Sequence, residues 1–417
     1  MTELDGTLSE LARLRSGSEP IVSLYLDVRW ADEKQRDRIR LFVQERVRQC
    51  LAHYLPDSPG TEGLHRTLDR IQKWVSGLTG QAYEADKNGV VLFACESLKL
   101  WRTQFFRRSF KNALELDAIP HLGQLARLAD DLEPAIVVAP FQGGAQIWHV
   151  TLGELEIEAT LRGYVPRSDK DTFNAGTGGH PGRQYEREKK NERHQEAFIQ
   201  KNLRATAGEV TRLCDEGKAN NVILVGTSET VAAFERELPE RVREHVIARV
   251  PRPREWESGN GARKDGVIQH VVEAVGAHEK EKEQAVIDSL VGQALRGGLA
   301  VLGTPDVIEA VNQGRVHKLV IESDLNKTGW RCDNCDALGS TTHDTCPYCN
   351  GSLRAVPNLS QALIARTLAE GGEVEIVPQG NKLHSYRGVG AFLRQTSQTA
   401  LRGASQPWPT APGANQP

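Results

Sequence analysis

Four cysteines near the end of the chain have the spacing of a metal site. Two residues separate Cys332 from Cys335 and Cys346 from Cys349, and ten residues lie between the two pairs. A two-residue spacing lets both thiolates reach one ion, and two such pairs complete a tetrahedral shell of four sulfur ligands. A closed shell has no position for water, so we predict a structural Zn²⁺ and not a catalytic one. Four unrelated thiols are the alternative.

Aromatic residues and a histidine accompany these cysteines. We expect Trp330 and Tyr348 to cover sulfur atoms, and His343 is a spare ligand candidate. Because four cysteines already fill the coordination of zinc, the histidine is not needed. Zinc ribbons occur in nucleic-acid-binding and ribosome-binding proteins and in many others, so the ribbon alone defines no function.

A glycine-dense loop is the second stretch that could do chemistry. Gly176, Gly178, Gly179 and Gly182 fall within seven residues, a density that excludes a helix or strand interior because each glycine costs backbone entropy. Glycines also let the backbone come close to a ligand. A charged segment of helical period follows, and its first part is basic: Arg183, Arg187, Lys189, Lys190 and Arg193. One interpretation of this combination is a device that delivers the main chain of the loop into a polyanionic cavity. The alternative is an ordinary surface loop before an exposed helix.

Two histidines bracket the start of this charged segment. His180 closes the Gly178-Gly179 pair, and His194 follows the basic run. The alternative for His194 is an ordinary residue on a helix surface. The chain has no Walker-type phosphate loop, no G-x-S-x-G elbow and no H-E-x-x-H motif, so other catalytic signals are weak.

Composition predicts a globular protein that does not enter a membrane. The 417 residues are 39% hydrophobic and 26% charged, and no apolar run approaches the roughly 20 residues of a membrane span. The first residues have no apolar core, so we expect no signal peptide. With four of seven cysteines in a metal pattern, we predict a reducing, cytoplasmic location. The net charge of −3 means that a nucleic-acid partner must be met by local basic patches.

Apolar runs alternate with helical patterns along the chain and predict a multidomain α/β fold. We divide it into an N-terminal domain over 1–131, a middle domain over 132–264 and a C-terminal domain over 265–395. The zinc ribbon occupies 330–353, and the tail 396–417, rich in Ser, Gln, Pro and Gly, is predicted to be disordered. Apolar runs predict buried strands over 21–27, 89–95 and 221–226. Locally, we also expect a helix over 241–247, and a helix capped by Thr304 with Pro305 in its first position.

The chain resembles the archaeal and eukaryotic class-1 peptide chain release factors and their Pelota relatives, in a bacterial-type branch. In that family a Gly-Gly-Gln tip precedes an aromatic residue, basic residues and an Arg-His pair. Here Gly178-Gly179-His180, Tyr185 and Arg193-His194 match that order without gaps. The family's closing Gly-Gly-Ile-Gly-Ala-Ile-Leu-Arg resembles residues 387–394, and its zinc-ribbon insert resembles residues 330–353.

The resemblance implies three α/β domains in the release-factor arrangement, the third of the kink-turn-binding ribosomal-protein type. It also implies that the tip enters the peptidyl-transferase centre, where a backbone N–H stabilises the developing oxyanion. This chain departs from the family twice. His180 replaces the tip glutamine and is followed by Pro181, and the stretch 31–50 lacks the Asn-Ile-Lys-Ser decoding motif. We therefore expect no stop-codon reading.

Three functions follow from this resemblance. The first is a factor that binds the ribosomal A site independently of the codon, contacts ribosomal RNA through the basic residues and His194, and rescues or protects ribosomes. The second is a peptidyl-tRNA hydrolase that uses His180. The third is a non-ribosomal RNA-binding stress protein. The family also implies an elongation-factor-type GTPase as a partner.

Overall fold

Helices and strands alternate along the chain, as the apolar runs predict. The computed structural model describes residues 3–29, 33–53, 60–81, 87–106, 108–131, 134–141, 144–151, 154–162, 181–217, 221–251, 264–323, 325 and 327–394. Within these ranges the side chains of some element ends, among them 154–162, 181–195 and 264–272, are not described.

The first part of the chain builds a four-stranded antiparallel sheet in the order β3-β2-β1-β4. Its elements are α1 (Glu3–Ala12), β1 (Ile21–Asp27), α2 (Glu33–His53), α3 (Thr61–Gln81), β2 (Gly89–Cys95), β3 (Leu100–Phe106), β4 (Ala113–Asp117) and α4 (Gly123–Asp131). Alternate residues of β1 and β2, such as Leu24 and Leu92, point to one face of the sheet. There they pack with Leu64, Leu68 and Ile71 of α3 in one buried cluster.

The second part builds a five-stranded mixed sheet in the order β7-β6-β5-β8-β9. Its elements are β5 (Ala135–Phe141), β6 (Gly144–Thr151), β7 (Glu154–Arg162), α5 (Pro181–Asp215), β8 (Asn221–Gly226), α6 (Ser228–Glu237), α7 (Glu240–Arg243) and β9 (Val246–Pro251). Strands β5, β8 and β9 pair in parallel, whereas β5, β6 and β7 pair antiparallel. Apolar clusters cover both faces, which explains why β5 and β8 are apolar without interruption.

The last part builds a second four-stranded sheet, in the order β10-β16-β11-β15, and a small three-stranded one. Its elements are α8 (Lys264–Leu295), β10 (Ala300–Leu302), α9 (Thr304–Asn312), β11 (Val316–Glu322), β12 (Gly329–Cys332), β13 (Leu338–Gly339), β14 (Leu353–Val356), α10 (Leu359–Ala369), β15 (Glu373–Val377) and β16 (Val389–Leu393). Ile287 and Leu290 of α8 pack against Val320 and Val377 of the larger sheet.

The chain divides into two compact units. One contains residues 1–130 and 283–417, and the other contains residues 131–282, with the division falling inside α8. The α/β class is as predicted, while the finer division into three domains stays a prediction. None of the helices in the described parts of the chain combines the length and the apolar character that a membrane span requires.

Two local predictions are wrong. The helix that starts after β10 is capped by Gly303, whose φ of 86° favours glycine, and Thr304 is its first residue. The Thr304 hydroxyl accepts a hydrogen bond from Lys327 Nζ at 2.8 Å instead of capping the helix. The predicted helix over 241–247 ends at Arg243, because Val246 pairs with β8 and begins β9.

A buried ion pair on the β10-β16-β11-β15 sheet supports a stability prediction. Glu375 is fully buried, and one of its carboxylate oxygens accepts a hydrogen bond from Lys318 Nζ at 3.1 Å. The other oxygen has no partner in the described part of the chain. Burial lowers the pKa of Lys318, but the charges of Glu375 and Glu373 outweigh it, so the pKa is raised and the ammonium stays charged at neutral pH.

Replacing Lys318 with Met is therefore expected to lower the free energy of unfolding by about 3 kcal/mol, because it leaves a buried carboxylate without a cation. Chemical denaturation followed by circular dichroism measures the loss. Glu373→Gln is the matched control, since the Glu373 side chain is 60% exposed and its ion pair with Lys318 contributes little. Equal losses in the two variants would contradict the prediction.

Candidate functional site

The four predicted cysteines meet in a small zinc-ribbon-like module built on β12, β13 and β14, which we call the ribbon. Cys332 is the last residue of β12, and Cys335 lies in the turn that follows. Cys346 and Cys349 form the second turn, shortly before β14. The four sulfur atoms lie within 4.8 Å of one another. The sequence prediction that the cysteines cluster is confirmed.

Sulfur geometry fits a tetrahedral metal ion. The Sγ atoms of Cys332 and Cys349 are 3.4 Å apart, and those of Cys335 and Cys346 are 3.5 Å apart. Four sulfurs at about 2.3 Å from zinc in a tetrahedron would be about 3.8 Å apart, so a small outward shift admits the ion. The backbone N–H groups of Asn334 and Cys335 donate to Cys332 Sγ at 3.4 and 3.5 Å, which stabilises a thiolate there.

Both cysteine turns close in the same way. The residue after each second cysteine, Asp336 in one turn and Asn350 in the other, has a φ near 60°. Asp and Asn tolerate this left-handed conformation better than most residues. Gly351 follows, and a Cβ there would lie 3.2 Å from the sulfur atoms of both Cys332 and Cys349. The same Cβ would lie 2.9 Å from the Cβ of Asn334, so glycine avoids crowding at this point.

Electrostatics differ among the four thiols. Burial raises the pKa of Cys335 to about 12, while hydrogen bonds from the Asn334 side chain and from the Gly351 backbone lower that of Cys349 to about 6. A bound metal ion would deprotonate all four, because thiolates are the ligands. The donor set of four sulfurs with no oxygen ligand suits zinc.

The accessory residues only partly match their predicted roles. Trp330 is buried and packs in one cluster with Cys332 and Cys346, as expected of a residue that covers sulfur. The Tyr348 hydroxyl instead donates to Glu309 on α9. His343 lies outside the group of four sulfurs; its Nε2 is 3.0 Å from the Thr341 hydroxyl.

The ribbon is held against the helices of its own unit. The Asn312 side chain at the end of α9 donates to the Leu338 carbonyl and accepts from the Leu338 N–H, each at 2.8 Å. Asp336 accepts from Arg366 of α10 at 2.6 Å. Sequence reasoning missed Gly351, Asn312 and Asp336. The Asp and Asn directly after each second cysteine were a readable signal, whereas the Asn312 contact spans 26 residues and has none.

The predicted tip lies outside the described residues, because Gly178, Gly179 and His180 fall in the gap between β7 and α5. The helix that follows begins at Pro181, so Gly182, which we assigned to the loop, lies in its first turn. Pro at a helix start is favourable because its missing N–H would have no partner there. The predicted RNA-binding residues Arg183, Arg187, Lys189, Lys190, Arg193 and His194 all lie in this first part of α5, where side chains are not described.

The second half of α5 anchors it to the mixed sheet. Leu203, Ala207, Val210 and Leu213 recur at helical spacing and are buried against β5, β6 and β8. With 35 residues the helix is about 50 Å long, and roughly 33 Å of it precede Leu203. The basic segment therefore occupies the opposite end of the helix from its buried anchor.

Comparisons with known proteins find sequence similarity to release factors. Residues 120–275 match the family model of bacterial archaeo-eukaryotic release factor family 10. Over 139 residues the chain is 27% identical to peptide chain release factor subunit 1 of Methanocaldococcus jannaschii, a match that covers 28% of this chain and 32% of that protein. The chain thus spans about a third of that relative's length. These matches show that part of the chain, including residues 120–275, is similar to archaeo-eukaryotic release factors.

Solved structures of similar proteins include the archaeal translation termination factor aRF1. It is 16% identical, covers 94% of this chain and 97% of its own, and superposes with a TM-score of 0.25. Pelota from Archaeoglobus fulgidus is 17% identical, with 73% of this chain and 79% of its own covered and a TM-score of 0.32.

Proposed function

We propose that this protein is a cytoplasmic translation factor that binds the ribosomal A site independently of the codon, in ribosome rescue or hibernation. The observation that carries the proposal is the extent of the family match. Residues 120–275 include the sheet of the second unit, the predicted tip and the whole of α5. The relative with 27% identity is itself a peptide chain release factor subunit.

The geometry of α5 supports a role in delivering the tip. Its buried anchor and its tip-proximal end are separated by roughly 33 Å of helix. Five predicted basic side chains and His194 lie along that part, next to the glycines. A basic rod with a backbone tip suits a deep cavity lined by RNA phosphates, because each Lys or Arg that neutralises a phosphate releases counterions.

Codon independence rests on the stretch where the family carries its decoding motif. Residues 33–53 form one continuous helix, α2, and the motif Asn-Ile-Lys-Ser does not occur there. With no decoding motif, the proposed factor has nothing in this stretch with which to select a stop codon.

We further propose that the ribbon holds one structural zinc ion through Cys332, Cys335, Cys346 and Cys349. The ion would cross-link the two cysteine turns, and it would supply no chemistry to a substrate. Ribosomal RNA is the proposed main partner. An elongation-factor-type GTPase is a second proposed partner, supported by the release-factor resemblance alone.

Co-sedimentation with ribosomes tests the proposal, and a charge reversal tests the basic segment. Lys190→Glu is expected to weaken ribosome binding and to lower the magnitude of the salt slope by about 1, because one phosphate contact is lost. Lys201→Glu is the matched control. It makes the same change in the same helix, at an exposed position beyond the basic segment.

Two outcomes would count against the function. If the protein fails to pellet with ribosomes at low salt, the ribosomal proposal is wrong. If it binds structured RNA equally well in the absence of ribosomes, the protein is a general RNA binder that keeps the fold. Equal losses of ribosome binding in Lys190→Glu and Lys201→Glu would contradict only the proposal that the basic segment contacts RNA.

A further inference from the structure

A charged cavity lies inside the first unit, between its N-terminal sheet and the ribbon. Its volume is about 200 Å³. Arg15 and Ser16, from the loop before β1, line one side together with Asp117 at the end of β4. Ribbon residues of β12 and β14 line the other side. Such a volume holds several water molecules or one small polar group.

Three arginines line the cavity together with three aspartates, Asp117, Asp333 and Asp336. Arg15, Arg331 and Arg354 all face the cavity. Two of them have carboxylate partners, since Arg331 pairs with Asp336 and Arg354 pairs with Asp333 at 3.1 Å. The Arg354 side chain is 55% exposed, so the cavity opens to solvent on that side.

Arg15 differs from the other two because, within the described ranges, it donates hydrogen bonds to neutral groups only. Its Nη1 donates to the carbonyl oxygens of Ala12 at 2.5 Å and Leu14 at 2.8 Å. No carboxylate pairs with it among the residues that the structure describes. Burial, and then the positive charge of Arg331, lower the pKa of Arg15 to about 10, so the group is still charged at neutral pH.

Nearby carboxylates are already engaged. Asp117 accepts from the Ala118 N–H at 2.7 Å and lies 3.1 Å from the His121 ring nitrogen. Asp336 accepts from both Arg331 and Arg366. A half-buried guanidinium that has lost part of its hydration and gained no anion is unfavourable, and a bound anion would correct this.

We propose that this cavity binds a phosphate group, with Arg15 as its main ligand and Arg331 and Arg354 beside it. The planar guanidinium fork matches two phosphate oxygens at once, and the Nε and Nη2 donors of Arg15 are available for that contact. The small side chains of Ala118, Ala355 and Ala362 leave the space for it. The lining also includes Cys332, one of the proposed zinc ligands.

Inorganic phosphate is the probe for the test, measured by equilibrium dialysis of the labelled ion against the full-length protein at constant ionic strength. We expect saturable binding of one equivalent. Arg15→Ala should weaken it at least about tenfold, because a charge-assisted, bidentate contact is lost. Arg13→Ala is the matched control, since Arg13 is an exposed arginine in the same segment and does not line the cavity.

A second variant keeps the test valid if Arg15→Ala disturbs folding. Ala118→Asp places a carboxylate at a half-buried lining position and should abolish phosphate binding while circular dichroism stays unchanged. Wild-type protein that takes up no phosphate would overturn the proposal. So would folded Arg15→Ala and Ala118→Asp proteins that bind phosphate as tightly as wild type.

Competition identifies the source of the phosphate. A short RNA without terminal phosphates displaces the labelled ion if the cavity accepts a backbone phosphodiester. If the cavity accepts only a terminal phosphate, a mononucleotide displaces the labelled ion and the short RNA does not. Either result supports the site. Failure of unlabelled phosphate itself to compete would show that the uptake is non-specific and would overturn it.

Discussion

Replacing Cys346 with serine is expected to reduce the zinc content of the purified protein from one ion per chain to nearly none. The Cys346 side chain is fully buried and its sulfur lies 3.5 Å from that of Cys335. Serine replaces this soft thiolate with a hydroxyl, which is a poor ligand for zinc. Structural zinc in small zinc-binding peptides contributes about 10–16 kcal/mol of apparent binding free energy, which is also folding free energy. Loss of the ion should therefore unfold the ribbon.

Elemental analysis measures the zinc content, and amide hydrogen exchange measures how well the strands of the ribbon are protected. The amides of β12, β13 and β14 should lose protection in Cys346→Ser, while those of β1 and β2 should keep it, because the first sheet has its own buried cluster. The same pattern is expected when a chelator strips wild-type protein.

Two control variants separate a four-thiol site from the alternatives. Cys214→Ser changes a half-buried cysteine of α5 and should leave the zinc content at one. His343→Ala should also leave it at one, because four sulfurs already fill the shell. A Cys346→Ser protein that still carries one zinc would show that the proposed ligand set is wrong.

The second large effect concerns the tip. Under the proposed function the wild-type protein binds ribosomes that hold a peptidyl-tRNA and an empty A site, but releases little peptide. His180→Gln restores the residue type that the release-factor resemblance implies at the tip, and we expect peptide release to rise by about a hundredfold or more. That magnitude is the usual contribution of one well-placed oxyanion donor.

The physical reason lies in the shape of the side chain at residue 180. The imidazole of His180 is bulkier near the backbone than a glutamine side chain, and Pro181, which the variant keeps, has a fixed φ and leaves little room to adjust. Because α5 begins at Pro181, residue 180 directly precedes a rigid helix, and a shift there moves the donor. A misplacement of about 1 Å can cost a hundredfold in rate.

Labelled peptide released from stalled ribosomes is the readout, with His245→Gln as the matched control at an exposed histidine that follows α7. If wild type already releases peptide and His180→Ala abolishes that release, the protein is a codon-independent peptidyl-tRNA hydrolase and our preferred proposal is wrong. If His180→Gln binds and stays silent, the idea that the fold delivers the tip productively is wrong.

Local sequence patterns alone determined much of this protein. The strands Ile21–Asp27, Gly89–Cys95 and Asn221–Gly226 have the bounds that their apolar runs predict. The two cysteine pairs specified the metal cluster through spacing. These features depend on residues a few positions apart, so the chain carries them before it folds.

The two wrong predictions at the ends of elements have a different cause. Gly303 caps α9 because a positive φ is needed where β10 turns into the helix, and the composition of the helix start does not report that need. Val246 joins β9 because β8 is available as a parallel neighbour, although its own segment reads as helical. In both places tertiary context overrides local propensity.

Only the tertiary structure decided which distant charges meet. Lys318 and Glu375 are 57 residues apart, and the cavity joins Arg15 to ribbon residues more than 300 positions away. The sequence determined that these charged residues exist, but charge gives no periodic signal of burial. Whether an arginine is solvated, paired or left facing a cavity depends on the elements packed around it, and packing is a property of the folded chain.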